Sequence, residues 1–239
     1  MDDRTDIDGV TADGADATDG GRLERLSDHP GARDPEPFAG PGHPIRKLTR
    51  TMAFGGEWRD SNATNITATF DGMAADWSEN HVDPVKRAPV DDALDRGELP
   101  LDGRWLELGS GTGAGARALQ GRVDDLVCTD LSFGMLSYAP PELAPRVRAD
   151  ASRLPFEDDT FDAILMINMI LFPTEVDRVL RPAGSLLWVN TLGDQTPIHL
   201  PADDVLDALP GEWRGRTARA GTGFWLTATR VAAAPGSRR

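Results

Sequence analysis

The sequence predicts an α/β protein: a doubly wound, mostly parallel sheet of seven strands with an antiparallel hairpin at its C-terminal edge. Three observations predict it. From Arg104 to Val189, short apolar runs alternate with helical stretches, the order that lays parallel strands side by side under helices on both faces. The run Phe161–Ile167 is almost continuously apolar, as a central strand covered on both faces requires. Two β-rich runs, Arg214–Arg219 and Phe224–Val231, flank Gly221-Thr222-Gly223, which reads as a hairpin.

The elements follow in chain order. Residues 1–45 are dominated by Asp, Gly, Ala, Thr and Pro, with no period of 2 or 3.6. Such a segment buries too little apolar surface to offset the entropy of ordering, so a disordered acidic tail is expected. Residues 46–61 mix Arg46, Lys47 and Arg50 with Phe54 and Trp58. They read as a lid over a ligand or as a linker. Ile66, Phe70, Met73, Ala74 and Trp77 recur at spacings of three and four, giving a helix over 62–79. Pro84 and Pro89 mark a break before a short helix over 90–99. Residues 46–100 thus form a helical cap or lid, and 101–239 the core.

In the core, Trp105–Leu108 is the first strand and Ala114–Gln120 its helix. Leu126–Thr129 is the second strand, followed by a short helix over Phe133–Tyr138. Val147 marks the third strand and Phe161–Ile167 the fourth. A helix over Thr174–Leu180 leads to the fifth strand, Ser185–Val189, and Ala202–Leu209 is the last helix before the hairpin.

Composition excludes several classes. The chain has 239 residues and a formal net charge of −14, which opposes non-specific contact with nucleic-acid phosphates and anionic lipid. Nucleic acid is therefore not an expected partner. No run approaches the roughly 18 apolar residues of a membrane span, and no signal peptide is visible, so a cytoplasmic monomer or homodimer is expected. The single cysteine, Cys128, permits no internal disulfide and lies in a strand as a small hydrophobe. His29 and His43 each precede proline in the tail and read as solvated. No metal site is expected.

The chemistry rests on the turn after the first strand, Glu107-Leu108-Gly109-Ser110-Gly111-Thr112-Gly113. Gly109, Gly111 and Gly113 allow a sharp bend and a close approach of backbone to ligand, with no Cβ in the way. The following helix start offers unpaired N–H groups. Asp130 ends the second strand about 20 residues past the turn, where a carboxylate accepts both hydroxyls of a ribose; capping the next helix is its other reading. Asp150, followed by Ala151, ends the third strand, where a carboxylate and a backbone N–H read an adenine edge.

These residues resemble the class I, Rossmann-like methyltransferases dependent on S-adenosylmethionine. The likeness is to the ubiquinone/menaquinone-biosynthesis and small-molecule group. It lies in LELGSGTG (106–113), TDLSFGML (129–136), ADASRLPFEDDTFDAIL (149–165) and RVLRPAGSLLWVN (178–190), with FDGMAADW (70–77) ahead of the core. The resemblance implies that Gly109, Ser110, Gly111 and Gly113 pass beside the cofactor's methionine portion and that Glu107 helps hold its amino group. It implies ribose binding by Asp130, adenine packing by Leu131 and adenine reading by Asp150 and Ala151. Asn168 is implied to face the methionine and the transferring methyl, and Trp77 to close over the cofactor or to anchor its helix. Two departures stand out. Pro182-Ala183-Gly184 replaces Pro-Gly-Gly, and Ile170, Leu171 and Phe172 stand where relatives often carry histidine.

Methyl transfer from a sulfonium is an in-line displacement that asks the protein for alignment and exclusion of water. No nucleophile or metal is needed, and no residue is assigned a catalytic role. His81 and Tyr138 are candidate general bases, and His199 a candidate acceptor-pocket residue. Met169, Ile170, Leu171 and Phe172 form a candidate apolar acceptor wall or ordinary packing. Arg214, Arg216 and Arg219 form a solvated hairpin face or hold an anionic acceptor. Two rival readings are an NAD(P)-dependent oxidoreductase, which leaves Asp150-Ala151 unexplained, and a cofactor-binding methyltransferase-like protein without turnover.

Overall fold

A computed structural model describes residues 21–38, 40–80 and 84–231. The elements are β1 (Leu23–Arg25), α1 (Pro44–Ala53), α2 (Asp60–Asn80), α3 (Pro84–Arg96), β2 (Arg104–Leu108), α4 (Ala114–Leu119), β3 (Asp125–Asp130) and α5 (Phe133–Tyr138). There follow β4 (Arg146–Arg148), β5 (Phe161–Ile167), α6 (Pro173–Val179), β6 (Leu180–Asn190), α7 (Ala202–Ala208), β7 (Trp213–Ala220) and β8 (Gly223–Arg230). The sheet has eight strands in the order β1-β7-β8-β6-β5-β2-β3-β4. Only β8 pairs antiparallel among the described strands, with β6 and β7.

Alternation along the strands builds two cores. Leu106, Leu108, Ile164, Met166, Leu186 and Trp188 face one layer. Their neighbours Trp105, Ala163, Leu165, Leu187 and Val189 face the other. A period of two sends successive side chains to opposite faces, which is why these strands carry near-continuous apolar sequence. Three tryptophans, Trp105, Trp188 and Trp225, are fully buried.

The expected seven strands become eight because of β1, and the expectation of disorder through residue 45 is corrected for residues 21–38. Leu23, Glu24 and Arg25 pair in parallel with Gly215, Arg216 and Thr217 of β7. Ion pairs hold the segment there: Arg216 with Glu24 at 2.7 Å, Arg219 with Asp34 at 2.6 Å and Arg25 with Asp203 at 2.6 Å. Arg216 also reaches Glu98 at 2.7 Å. Arg216 and Arg219 are therefore bound to carboxylates of their own chain on an exposed face, which accords with a solvated face and corrects only their reading as an acceptor site. Residues 1–20 lie outside the described residues.

Three boundaries also differ. Residues 44–53, inside the stretch read as lid or linker, form α1, which buries Thr49, Met52 and Ala53. Pro84 and Pro89 do not break the chain: α3 starts at Pro84 and carries Pro89 inside it. The fifth expected strand, β6, starts five residues early at Leu180. Phe161 pairs with Leu180 but Ala163 with Ser185, so the excess residues bulge out. Within that bulge Ala183 has φ 62°, a left-handed conformation that costs a residue with a Cβ about 1–2 kcal/mol.

α3 is fixed to the sheet by a buried carboxylate. Asp92 is 6% exposed and takes 2.5 and 2.7 Å bonds from Arg96, one turn on. It also accepts from the indole N–H of Trp225 on β8 at 2.6 Å. The two donors offset the cost of burying the charge.

Candidate active site

β2, β3 and β4 are neighbours and run parallel, so their C-terminal ends open on one edge of the sheet. That is the edge where open α/β sheets bind ligands. The glycine turn leaves β2 there. Gly109, Gly111 and Gly113 have φ 68°, 53° and 86°, conformations in which only glycine is unstrained. The turn is tied to β3 through Ser110 N–H, which donates to the Thr129 carbonyl at 2.9 Å.

Asp130 stands directly against the turn. Its Oδ2 accepts the Gly111 N–H at 2.8 Å and its Oδ1 the Ser132 N–H at 2.8 Å. Burial pushes its carboxyl above the ordinary range, against the pull of those hydrogen bonds. Leu131 follows, half-buried. At the end of β4, Asp150 Oδ1 accepts the Ser152 N–H at 2.8 Å, and Ala151 is 6% exposed.

The turn has room and an unspent polar group. Nothing lies within 4 Å of the place a Cβ on Gly111 would occupy. The Ser110 hydroxyl is buried and has no hydrogen-bond partner, a condition that usually marks a missing water or ligand. Both observations fit a ligand that runs along the turn.

Comparison with known proteins bears on what that ligand is. Residues 106–188 match the methyltransferase domain family. A demethylmenaquinone methyltransferase of Mycolicibacterium gilvum (strain PYR-GCK) is 30% identical over 141 residues, 54% of this chain and 60% of that protein. The chain thus spans less than two thirds of the length of the curated relatives it matches. Among solved structures, the DhpI–SAH complex aligns with a TM-score of 0.58 at 18% identity, over 72% of this chain and 98% of that one. A SAM-dependent methyltransferase from Thermotoga maritima, a possible histamine N-methyltransferase, aligns with a TM-score of 0.54 at 17% identity, over 69% of this chain and 99% of that one. Over residues 106–188 the chain is similar to a methyltransferase domain, and beyond them the likeness is one of fold. The two structural neighbours establish its fold.

Within the matched segment, Glu107 is 2% exposed and lies beneath the turn. Burial pushes its carboxyl up to about 7, against hydrogen bonds from Cys128 and the Ala116 and Gly115 amides. The Cys128 Sγ–Glu107 Oε2 distance is 3.4 Å. A Cβ on Gly115 would collide with Glu107 Oε1, so this glycine makes the carboxylate's bed. The first-turn amides of α4, expected to face a ligand, are thus partly held by Glu107.

Asn168 adopts φ 49° at the end of β5. Its side chain clamps β6: Nδ2 donates to Thr191 Oγ1 at 2.8 Å and Oδ1 accepts the Thr191 N–H at 3.0 Å. Asn168 therefore has a structural task that the sequence does not suggest. Met169 approaches the turn, with Sδ 2.5 Å from the place of a Gly109 Cβ. Ile170 and Leu171 are 4% and 0% exposed, and Leu171 belongs to the main core. Of the expected apolar wall only Met169 and Phe172 remain partly accessible.

The N-terminal cap reaches into this edge through Trp58, in the segment read as a lid or linker, and through Asp71, which no local signal singles out. Trp58 donates its indole N–H to Asp150 Oδ2 at 2.9 Å and packs edge-on to Phe172, with ring centroids 5.1 Å apart. The carboxylate expected to take the adenine amino group is already paired with a tryptophan. Asp71 on α2 accepts from Ser132 Oγ at 2.5 Å and from Gly134 N–H at 2.8 Å. Those two bonds hold its carboxyl below the ordinary range. Ser132 in turn caps α5, so α2 is latched to the residues just after Asp130. Trp77 lies edge-on to Phe70 at 6.0 Å on the same helix. Tyr138 is 47% exposed at the end of α5; His81 lies outside the described residues.

Proposed function

We propose that the chain transfers a methyl group from S-adenosylmethionine to a small-molecule acceptor by in-line displacement. The observation that carries this is the direct bond between the Gly111 N–H and Asp130 across the ends of two neighbouring strands, inside the segment that matches the methyltransferase domain family. The name of the demethylmenaquinone methyltransferases supports a small acceptor. Under this reading the cofactor is held by Glu107, Gly109, Ser110, Gly111, Gly113, Asp130, Leu131, Asp150, Ala151, Asn168 and Trp77. S-adenosylmethionine, when bound, supplies an electrophilic methyl and a positive charge that transfer removes.

The remaining work falls to the chain. Asp130, fixed by two backbone N–H donors, keeps unused lone pairs for ribose hydroxyls. The Ser110 hydroxyl gains a partner. Met169 and Phe172 flank the reacting edge and exclude water, which strengthens electrostatic interactions there. Asn168 acts through the β5–β6 clamp, keeping its own backbone at the strand end. In the absence of a membrane-crossing helix among the described residues, a cytoplasmic monomer or homodimer accords with this reading.

A cofactor-binding protein without turnover and an NAD(P)-dependent oxidoreductase are the rival outcomes of the test. Calorimetric titration with S-adenosylmethionine and with NAD separates the methyltransferase from an oxidoreductase, and transfer of radiolabelled methyl to a cell extract separates turnover from binding. Binding of S-adenosylmethionine with label in a small-molecule fraction is expected. Binding of NAD alone, or no transferred label, refutes the proposal.

A further inference from the structure

A cavity of about 970 Å³ opens between α1, the loop at Phe54–Gly56 and the segment that follows β6. Its walls include Arg46, Lys47, Arg50, Phe54, His199 and Leu200. Its size falls near the upper end of ordinary small-ligand sites. A second cavity, of about 510 Å³, shares Phe54, Gly55 and Gly56 with it and reaches Trp58, Ser152 and Phe172. The two cavities thus lie on either side of one loop. The second adjoins the Asp150 corner of the candidate cofactor site.

The charge of the larger cavity is opposite to that of the chain. The protein carries −14 overall, yet three permanent cations, Arg46, Lys47 and Arg50, line this cavity against one carboxylate, Asp204. Arg50 is paired with Asp204. Asp194 offsets part of the charge on Arg46, whose main perturbation is burial, which lowers its pKa. Lys47 has no ion-pair partner among the described residues.

Polar capacity is also left over. Arg46 donates to the backbone carbonyls of Asp194 and Thr196, but its buried Nε has no partner. An arginine N–H can only donate, so leaving it unpaired and dry costs about 1–3 kcal/mol. Buried His199 Nδ1 is also unpartnered. The first turn of the ten-residue α1 borders the cavity and contains no acidic residue, so its positive dipole end is not offset there. Phe54, Leu200 and prolines 41, 44 and 201 supply the apolar part of the wall.

We infer that this cavity binds a small organic anion, an oxyanion on an apolar body. The inference stands on the cavity's own lining and not on the methyltransferase reading, since neither the glycine turn nor Asn168-Met169 borders it. The oxyanion is a carboxylate or a phosphoryl group, and the arms of the test tell them apart.

The test is calorimetric titration of the full chain with benzoate, phenyl phosphate and neutral benzamide, each with and without saturating S-adenosylhomocysteine. At least one anion binds saturably, at least 10-fold more tightly than benzamide, and the tighter anion identifies the group. Lys47→Glu weakens that anion at least 10-fold and leaves S-adenosylhomocysteine affinity unchanged. Lys47 is exposed, so the fold tolerates the change, and Lys47→Gln serves as the milder variant. Equal binding of benzamide, no effect in either variant, or binding of neither anion overturns the inference. S-adenosylhomocysteine binding to the unmodified chain is read separately: its absence refutes the methyltransferase reading, whereas its presence without anion binding refutes only the anion site.

Discussion

Replacing Glu107 with glutamine should make the protein more stable at neutral pH, by an amount that grows with pH up to about 7. The carboxyl is fully buried, and burial lifts its pKa from 4.5 to about 7. The folded state therefore holds this proton more tightly than the unfolded chain. Below about pH 4.5 both states are protonated and the group contributes nothing. As pH rises from there to about 7, the unfolded chain gains by ionising first, and stability falls by 1.36 kcal/mol per unit. Above about pH 7 both are ionised and the penalty stays constant, at about 3 kcal/mol. The glutamine amide of the variant keeps a carbonyl for the Gly115 and Ala116 amides but has no proton to lose. Loss of an acceptor toward Cys128 gives an offset that does not change with pH. Burial also raises Cys128, the nearest titrating neighbour, so it stays a thiol across this window. Asp130 is raised in both proteins and largely cancels in the comparison. Urea unfolding of the two proteins at pH 5, 6, 7 and 8 reads the effect. The stability difference, Glu107→Gln variant minus unmodified protein, should climb by about 2–3 kcal/mol from pH 5 to 8. A difference that is flat across this range refutes the reasoning, because it means that the buried carboxylate is ionised throughout.

Three further outcomes are expected. Asp130→Ala should weaken S-adenosylmethionine binding 10- to 100-fold, the equivalent of roughly 1.5–3 kcal/mol for hydrogen bonds to a charged group; calorimetry on the folded variant checks this, and unchanged affinity removes Asp130 from the site. Trp58→Phe should tighten cofactor binding about 5- to 10-fold, because it frees Asp150 of the indole bond while keeping a ring against Phe172, worth about one net hydrogen bond; weaker binding would make Trp58 part of the cradle. Asp92→Ala should cost about 2–3 kcal/mol in urea unfolding, since it strands Trp225 Nε1 and a partly exposed Arg96; a loss below about 0.5 kcal/mol would show that Asp92 does not anchor α3.

The parts of the fold legible in the sequence are those whose cause is local. Phe161–Ile167 and Phe133–Tyr138 have the expected bounds, because a buried parallel strand and a serine-capped helix are written in their own residues. The hairpin is legible for the same reason, its glycine turn lying between two β-rich runs. β1 is not. Leu-Glu-Arg is three residues with one apolar member, and its order comes from β7 and from an arginine some 190 positions away. α1 is obscured by its basic residues, Arg46, Lys47 and Arg50, since only Thr49, Met52 and Ala53 are buried. Pro89 misleads because tertiary packing of α3 on β8 outweighs its helix-breaking tendency.

The candidate site divides in the same way. Gly109, Gly111, Gly113 and Asp130 announce themselves because turn geometry and strand ends demand those residues. Trp58 and Asp71 do not, since their partners Asp150 and Ser132 are 92 and 61 positions distant. The aromatic content of the 46–61 segment is the only local sign of Trp58. The Asn168–Thr191 clamp is hidden because asparagine at a strand end suits a ligand contact and a left-handed backbone equally well.

A crystal structure with S-adenosylhomocysteine bound tests the central claim most directly. The ligand should lie along Gly109–Gly113, with its ribose on Asp130, its adenine at Asp150-Ala151 and the Trp58 indole moved off the carboxylate. A ligand bound at another face, or a saturated crystal in which Trp58 still holds Asp150 and the glycine turn contacts nothing, would contradict it.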